Sequence, residues 1–134
     1  LLTRDSFWRD LTKAIADASD RSQALSLARY TFDGPLDVRA GIDGARLITR
    51  LIRNIDFACR EDDGSLLVAF TQTNLRDAHV VARRIAGALK NTMLMPQRGR
   101  DKVTANVTLA TLKAGDTLDS LMQRVMGSRM VAAE

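Results

Sequence analysis

A chain of 134 residues, 46% apolar and 27% charged, is long enough for one domain with its own core and lies outside the compositions of disordered or fibrous chains. No apolar run reaches the roughly 18 residues needed to span a bilayer, and no basic-then-apolar leader opens the chain, so a cytoplasmic protein is expected. The net charge of +4 is mostly arginine and spread along the sequence, a weak pointer to an anionic partner; the single cysteine, Cys59, excludes an internal disulfide, and with Cys59 among apolar neighbours and the one histidine, His79, on a polar helix face, neither a zinc cluster nor a Cys/His catalytic pair is expected.

Phe7, Leu11, Ala14, Ile15 and Ala18 recur at helical spacing behind Asp5 and Ser6, which predicts an amphipathic helix of about four turns capped by that pair. Leu25 to Phe32 reads as a strand stopped by Asp33-Gly34-Pro35. A helical period returns from about Leu36 to Ile52 through Ile42, Ala45, Ile48, Leu51 and Ile52, although Gly41 and Gly44 are poor helix formers. In "RNIDFACREDDGSLLVAF", residues 53 to 70, two short apolar runs flank Glu61-Asp62-Asp63-Gly64-Ser65, a hairpin with acids crowding its tip. Cys59, among apolar neighbours in the first of these runs, reads as a buried, inert thiol.

Asn74 is placed to cap a third helix with an apolar stripe of Ala78, Val81, Ala82, Ile85 and Leu89, and a polar face carrying Arg76, His79 and Arg83. Arg98-Gly99-Arg100-Asp101-Lys102 follows in a polar loop; no aromatic ladder accompanies it, so it reads as solvated surface and no nucleic-acid partner is expected. Val103, Ala105, Val107 and Leu109 then alternate with Thr104, Asn106 and Thr108 in a fourth strand. A last helix from about Asp116-Thr117 buries Leu118, Leu121, Met122 and Val125.

Between the outer helices the order is strand, helix, strand, strand, helix, strand, the split βαβ arrangement of ferredoxin-like α+β folds. The expectation is a single domain over 1–134: a mostly antiparallel four-stranded sheet flanked by helices, with the hairpin in its middle. Fold alone assigns no activity.

Three stretches resemble GGDEF domains, the bacterial diguanylate cyclases. "LLTRDSF" looks like their opening segment. "RNIDFACREDDGSLLVAF" is similar to their Arg-x-x-Asp, five residues, Gly-Gly-Asp/Glu-Glu-Phe and apolar strand, and "VTANVTLATLKAGDTLDSLMQRV" resembles their closing strand, Gly-Asp-Thr loop and last helix. The resemblance covers essentially the whole chain and implies the nucleotidyl-cyclase-like βαββαβ fold. It also implies the cyclase chemistry, in which two GTP molecules are joined with metal-bound carboxylates and a Gly-Gly turn that admits the nucleotide.

Measured against that motif, Asp62, Asp63, Gly64, Ser65 and Leu66 all depart from it. The first strand offers at most Asp33, beyond Tyr30 and Thr31, where the family carries Asp-x-Asp for metal. The passage from Phe32 into the second helix is too short for the family's guanine-holding segment, and the closing lysine falls on Ala133. The expectation is a degenerate domain with no catalytic residues, no metal and no cofactor, in which Asp62 and Asp63 serve only the turn.

Upstream of the tip, Arg53-Asn54-Ile55-Asp56 falls in the register of the family's inhibitory Arg-x-x-Asp site for cyclic di-GMP, and "VARRIAG" places Arg84 where that site takes a further arginine. Arg60-x-x-Asp63 and Arg98-x-x-Asp101 match the same pattern by chance, so register alone distinguishes the first. An arginine fork suits guanine O6 and N7, while a carboxylate suits N1-H and N2-H. Equally, Arg53 and Asp56 can form an ion pair that only closes the second helix, with Arg84 a solvated residue. The expected function is therefore an inactive signalling domain that receives cyclic di-GMP through Arg53, Asp56 and Arg84; the alternative is an interaction or dimerisation module that binds no nucleotide. Other signalling domains or proteins and a second copy in a homodimer are further expected partners, with no membrane contact by this segment. The chain is expected to be an excerpt of a longer protein.

Overall fold

The computed structural model describes residues 1–33, 38–94 and 104–133. The Gly34-Pro35 stop, Val103 and the Arg98 to Lys102 cluster lie outside the described residues. Helix α1, Arg4–Arg21, buries Phe7, Leu11, Ile15 and Ala18. Its cap is Thr3, whose hydroxyl accepts from the Ser6 amide at 3.2 Å. Asp5 and Ser6, expected as the cap, sit two and three positions too far in; Asp5 lies in the first turn, where its charge complements the helix dipole. Ser22 ends the helix at φ 53°, and the Gln23 amide returns to the Ala18 carbonyl at 2.9 Å.

The remaining elements are β1 (Leu25–Asp33), α2 (Val38–Leu51), β2 (Phe57–Arg60), β3 (Leu66–Thr71), α3 (Leu75–Leu94), β4 (Thr104–Thr111) and α4 (Leu118–Ala133). The four strands form one antiparallel sheet in the order β2-β3-β1-β4. This corrects the expectation that the hairpin lies in the middle: β2 is an edge strand, and β1 takes the centre by pairing with both β3 and β4. The crossover through α2 skips one place, leaving a slot that β3 fills. The exposed side of β2 is partly closed by Leu2, whose amide donates to the Ala58 carbonyl at 2.9 Å and which bridges in parallel to Cys59.

Helices cover both sheet faces. Leu25, Leu27, Cys59, Leu67 and Ala69 pack with α1 and α4, while Ala28, Tyr30, Val68 and Phe70 pack with α2 and α3. β1 is buried on both faces without a break from Leu25 to Tyr30, Ser26 and Arg29 included. β4 differs: its alternating set Ala105, Val107 and Leu109 is only partly buried, against the α2/α3 side, and among its described side chains Ala110, on the opposite side, is the buried one. In α2, Gly41 and Gly44 are buried. A Cβ at Gly41 would meet the Arg60 guanidinium at 2.6 Å, so that glycine makes room for a β2 side chain crossing the helix.

Candidate functional site

At the end of α2 the chain turns, with the Asp56 amide donating to the Arg53 carbonyl at 3.0 Å. This turn brings Arg53 and Asp56 into a two-pronged ion pair: Nε to Oδ2 and Nη2 to Oδ1, both 2.9 Å. The Arg53 amide adds a third bond to Oδ2 at 3.0 Å, and the Thr71 amide a fourth to Oδ1 at 3.1 Å. Nη2 also reaches the Thr71 carbonyl and the Thr73 hydroxyl, each at 2.8 Å. One carboxylate thus ties the α2 exit to the segment that leads from β3 into α3. The Asp56 side chain is 2% exposed, whereas that of Arg53 is 51% exposed.

Arg84 lies on the exposed side of α3. Among the described residues it forms no hydrogen bond or ion pair with Arg53 or Asp56. At a helical rise of about 1.5 Å per residue, it sits roughly 14 Å along α3 from Leu75.

The hairpin tip is organised by a residue that the sequence pattern did not single out. Arg29 is buried in β1, opposite Leu67 and Thr108, with its side chain 2% exposed. Its Nη2 donates to Asp63 Oδ2 at 2.8 Å and its Nε to Glu61 Oε1 at 3.5 Å. Asp63 Oδ1 accepts from the Ser65 amide at 2.9 Å and from the Ser65 hydroxyl at 2.6 Å, and that hydroxyl also lies 3.0 Å from Glu61 Oε1. Gly64 closes the turn at φ 87°, a conformation that favours glycine. Asp62 is solvated and only 3.3 Å from Arg4 Nη1 across the surface. Leu66 begins β3 and is buried.

These contacts set the electrostatics of the tip. Burial pushes the Asp63 carboxyl up, but the Ser65 hydroxyl and amide and the Arg29 guanidinium outweigh it, and the group ends below the usual carboxylate range. The Cys59 thiol is pushed up to about 12, by burial first and by Glu61 second, which keeps it protonated and unreactive at neutral pH. Tyr30 is likewise raised by burial and donates its hydroxyl to the Ala82 carbonyl at 3.1 Å.

A third arginine–carboxylate pair holds the closing loop. Asp116, in the Gly-Asp-Thr stretch, receives Arg124 Nη1 at 2.6 Å and Nη2 at 2.8 Å, while Nη2 also donates to the Thr111 carbonyl. Arg124 above all, with the Lys113 amide and the Ser120 hydroxyl, holds this carboxyl well below its ordinary range. Ala133 is the last residue of α4.

No family model matches the sequence, and no curated protein matches it significantly. Solved structures do match. The active GGEEF domain of a diguanylate cyclase from Vibrio cholerae superposes with a TM-score of 0.83 over 99% of this chain and 91% of its own, at 18% identity. The chain has the fold of a GGDEF domain. The coiled coil and GGDEF domain of DgcB from Caulobacter crescentus, solved in complex with c-di-GMP, gives a TM-score of 0.81 at 18% identity, over 99% of this chain and 76% of its own. The diguanylate cyclase SiaD from Pseudomonas aeruginosa, in complex with its activator SiaC, gives 0.80 at 19% identity; this chain spans 99% of itself and only 55% of SiaD. Within the GGDEF fold, the tip of the central motif is built here on an internal guanidinium. No helix among the described residues is long and apolar enough to cross a membrane.

Proposed function

We propose that this chain is a catalytically inactive GGDEF-type signalling domain that receives cyclic di-GMP through Arg53 and Asp56, with Arg84 as an outlying contact. The observation that carries the reading is the Arg53–Asp56 pair, which buries the acid and presents the cation: a preformed, half-exposed guanidinium at the Arg-x-x-Asp register suits the guanine edges or phosphates of a cyclic dinucleotide. The DgcB domain solved with c-di-GMP has the same fold. Asp56 already accepts four hydrogen bonds from its own chain, so the dinucleotide is met chiefly by Arg53 and reaches Asp56 only by displacing one of them. That saturation favours a second reading, an interaction or dimerisation module that binds no nucleotide.

Inactivity is supported by the donor set at the tip. The cyclase reaction implied by the resemblance needs carboxylates free for a divalent cation, and here Glu61 and Asp63 are already engaged by the buried Arg29 guanidinium and by Ser65. These residues do not fit the metal. The test is direct: purified domain incubated with GTP and magnesium or manganese is expected to yield no cyclic di-GMP above a protein-free control, and product that follows the protein through a sizing column would overturn the assignment. Restoring Gly-Gly-Asp-Glu-Phe at 62 to 66 is expected to leave activity absent, because Arg29 remains.

A further inference from the structure

The sequence spreads its basic residues along the chain, but the fold gathers them. Within α2 and α3 stand seven arginines and lysines against two aspartates, a net of +5. The whole chain carries +4, so all other residues together sum to −1. Helix α1, on the opposite sheet face, has four bases and four acids and is neutral. The excess charge is therefore a property of one layer.

Helical phase turns these charges outward. The buried side of α2 runs through Ala40, Gly41, Gly44, Leu47 and Ile48, which sets Arg39, Arg46 and Arg50 on the solvent side. The buried side of α3 runs through Ala78, Ala82, Ile85 and Leu89, and Arg76, Arg83 and Lys90 are exposed opposite it. Arg39 is paired, with Asp43 at 4.0 Å; among the described residues the other cations of the two helices form no ion pair. Helix α2 packs directly on α3, so both rows belong to one surface.

A second observation concerns apolar exposure. Of eight large hydrophobic side chains exposed among the described residues, six belong to these two helices or the turns at their ends: Val38, Ile42, Leu51, Ile55, Leu75 and Val80. Ile42 lies three residues after Arg39 and four before Arg46, and Val80 lies four after Arg76 and three before Arg83, so each aliphatic group is interleaved with the charges on the outward stripe. Scattered single hydrophobics carry little meaning, but concentration on one unpaired basic layer marks a contact surface.

We infer that the outer face of α2 and α3 docks an acidic amphipathic helix of another protein, whose carboxylates meet the arginine rows and whose aliphatic side chains cover Ile42 and Val80. The composition selects this occupant. A second copy presenting the same face would set +5 against +5, a repulsion that opposes self-association. Nucleic acid would answer the charge but leave the aliphatic groups uncovered, and α2 and α3 carry no Phe, Tyr or Trp for stacking, His79 being their one exposed ring. A cyclic dinucleotide brings two phosphates, far short of seven cations, so this surface exceeds the Arg53 site and does not depend on it. Arginine, with its planar fork, matches paired carboxylates well.

The probe is a helical peptide of about 20 residues, glutamate along one stripe and leucine at i, i+3 and i+7 along the other, titrated into the intact chain and followed by amide shifts and fluorescence anisotropy. Saturable shifts confined to α2, α3 and their end turns are expected, with a Kd on the order of tens of micromolar that weakens about ten-fold or more as salt screens the charges. Arg46→Glu with Arg83→Glu is expected to weaken the peptide at least ten-fold, whereas Arg9→Glu with Lys13→Glu on α1, the same change in net charge, leaves it within about two-fold. Ile42→Ser with Val80→Ser is expected to weaken it several-fold at all salt concentrations. Absence of saturation, equal binding of unpatterned polyglutamate, insensitivity to the Arg46 and Arg83 reversals, or binding confined to anionic lipid vesicles or duplex DNA each overturns the inference. Nucleotide binding is read separately through Arg53→Ala, so failure of either site leaves the other legible.

Discussion

The hairpin tip and the α2 exit each hold an arginine against an aspartate, with the burial reversed. At the tip Arg29 is 2% exposed and Asp63 56% exposed; at the α2 exit Arg53 is 51% exposed and Asp56 2%. The buried member serves the fold, and the exposed member faces whatever arrives from solvent. A tip that shows carboxylates repels a triphosphate, while a turn that shows a guanidinium attracts a phosphate or a guanine edge. On the function proposed above, the same pair of residue types would close one site and open another.

The comparison is broken most forcefully at Arg29. Arg29→Met removes the buried cation and leaves Glu61, whose side chain is 9% exposed, without its partner; a loss of roughly 3–5 kcal/mol is expected in chemical denaturation. Adding Glu61→Gln is expected to recover part of that loss, and no recovery would show that the arginine acts by packing alone. Asp56→Ala is next, at roughly 2–4 kcal/mol, because it strands the amides of Arg53 and Thr71 together with a charged fork.

The Asp116–Arg124 pair sharpens the contrast through pH. A carboxyl with a depressed folded pKa stabilises the fold above its ordinary value near about 4, and that contribution is lost as pH falls through the folded pKa. Asp116→Asn is expected to lower stability at neutral pH and to flatten the loss below about pH 4. Unchanged acid dependence would place the acid sensitivity elsewhere. The smallest effect is expected at Arg4→Ala: its partner Asp62 is 93% exposed, and the change should cost under about 1 kcal/mol in the same denaturation series.

Much of this architecture was legible from local patterns. Helical stripes placed α1, α3 and α4, and the acidic turn with glycine marked the hairpin, because both signals live within a few residues. Strand order did not emerge, since β1 takes its partners from residues 66 to 71 and 104 to 111, and no local period encodes that choice. Arg29 was invisible for the same reason. It sits mid-strand with no acid nearby in sequence before Asp33, and its partner acids lie 32 and 34 residues away. Thr3 is hard to pick out because Asp5 and Ser6, two and three residues later, are at least as good capping types. The Arg53–Asp56 pair was readable because its members are three apart, but the saturation of Asp56 by Thr71 was not. The basic layer needed both helix phase and knowledge of which helices share a sheet face.

Calorimetric titration of the intact chain with cyclic di-GMP, wild type beside Arg53→Ala, tests the central claim most directly. Micromolar or tighter binding is expected for the wild type, and Arg53→Ala, with its fold retained, is expected to weaken it roughly ten- to a hundred-fold, as the loss of one charge-assisted fork requires. Arg9→Ala, on the neutral helix α1, serves as the control and should leave the affinity unchanged. No heat from the wild type at ligand concentrations of about a hundred micromolar, or equal affinity in the Arg53 variant, would contradict the account and leave the chain as an interaction module that binds no nucleotide.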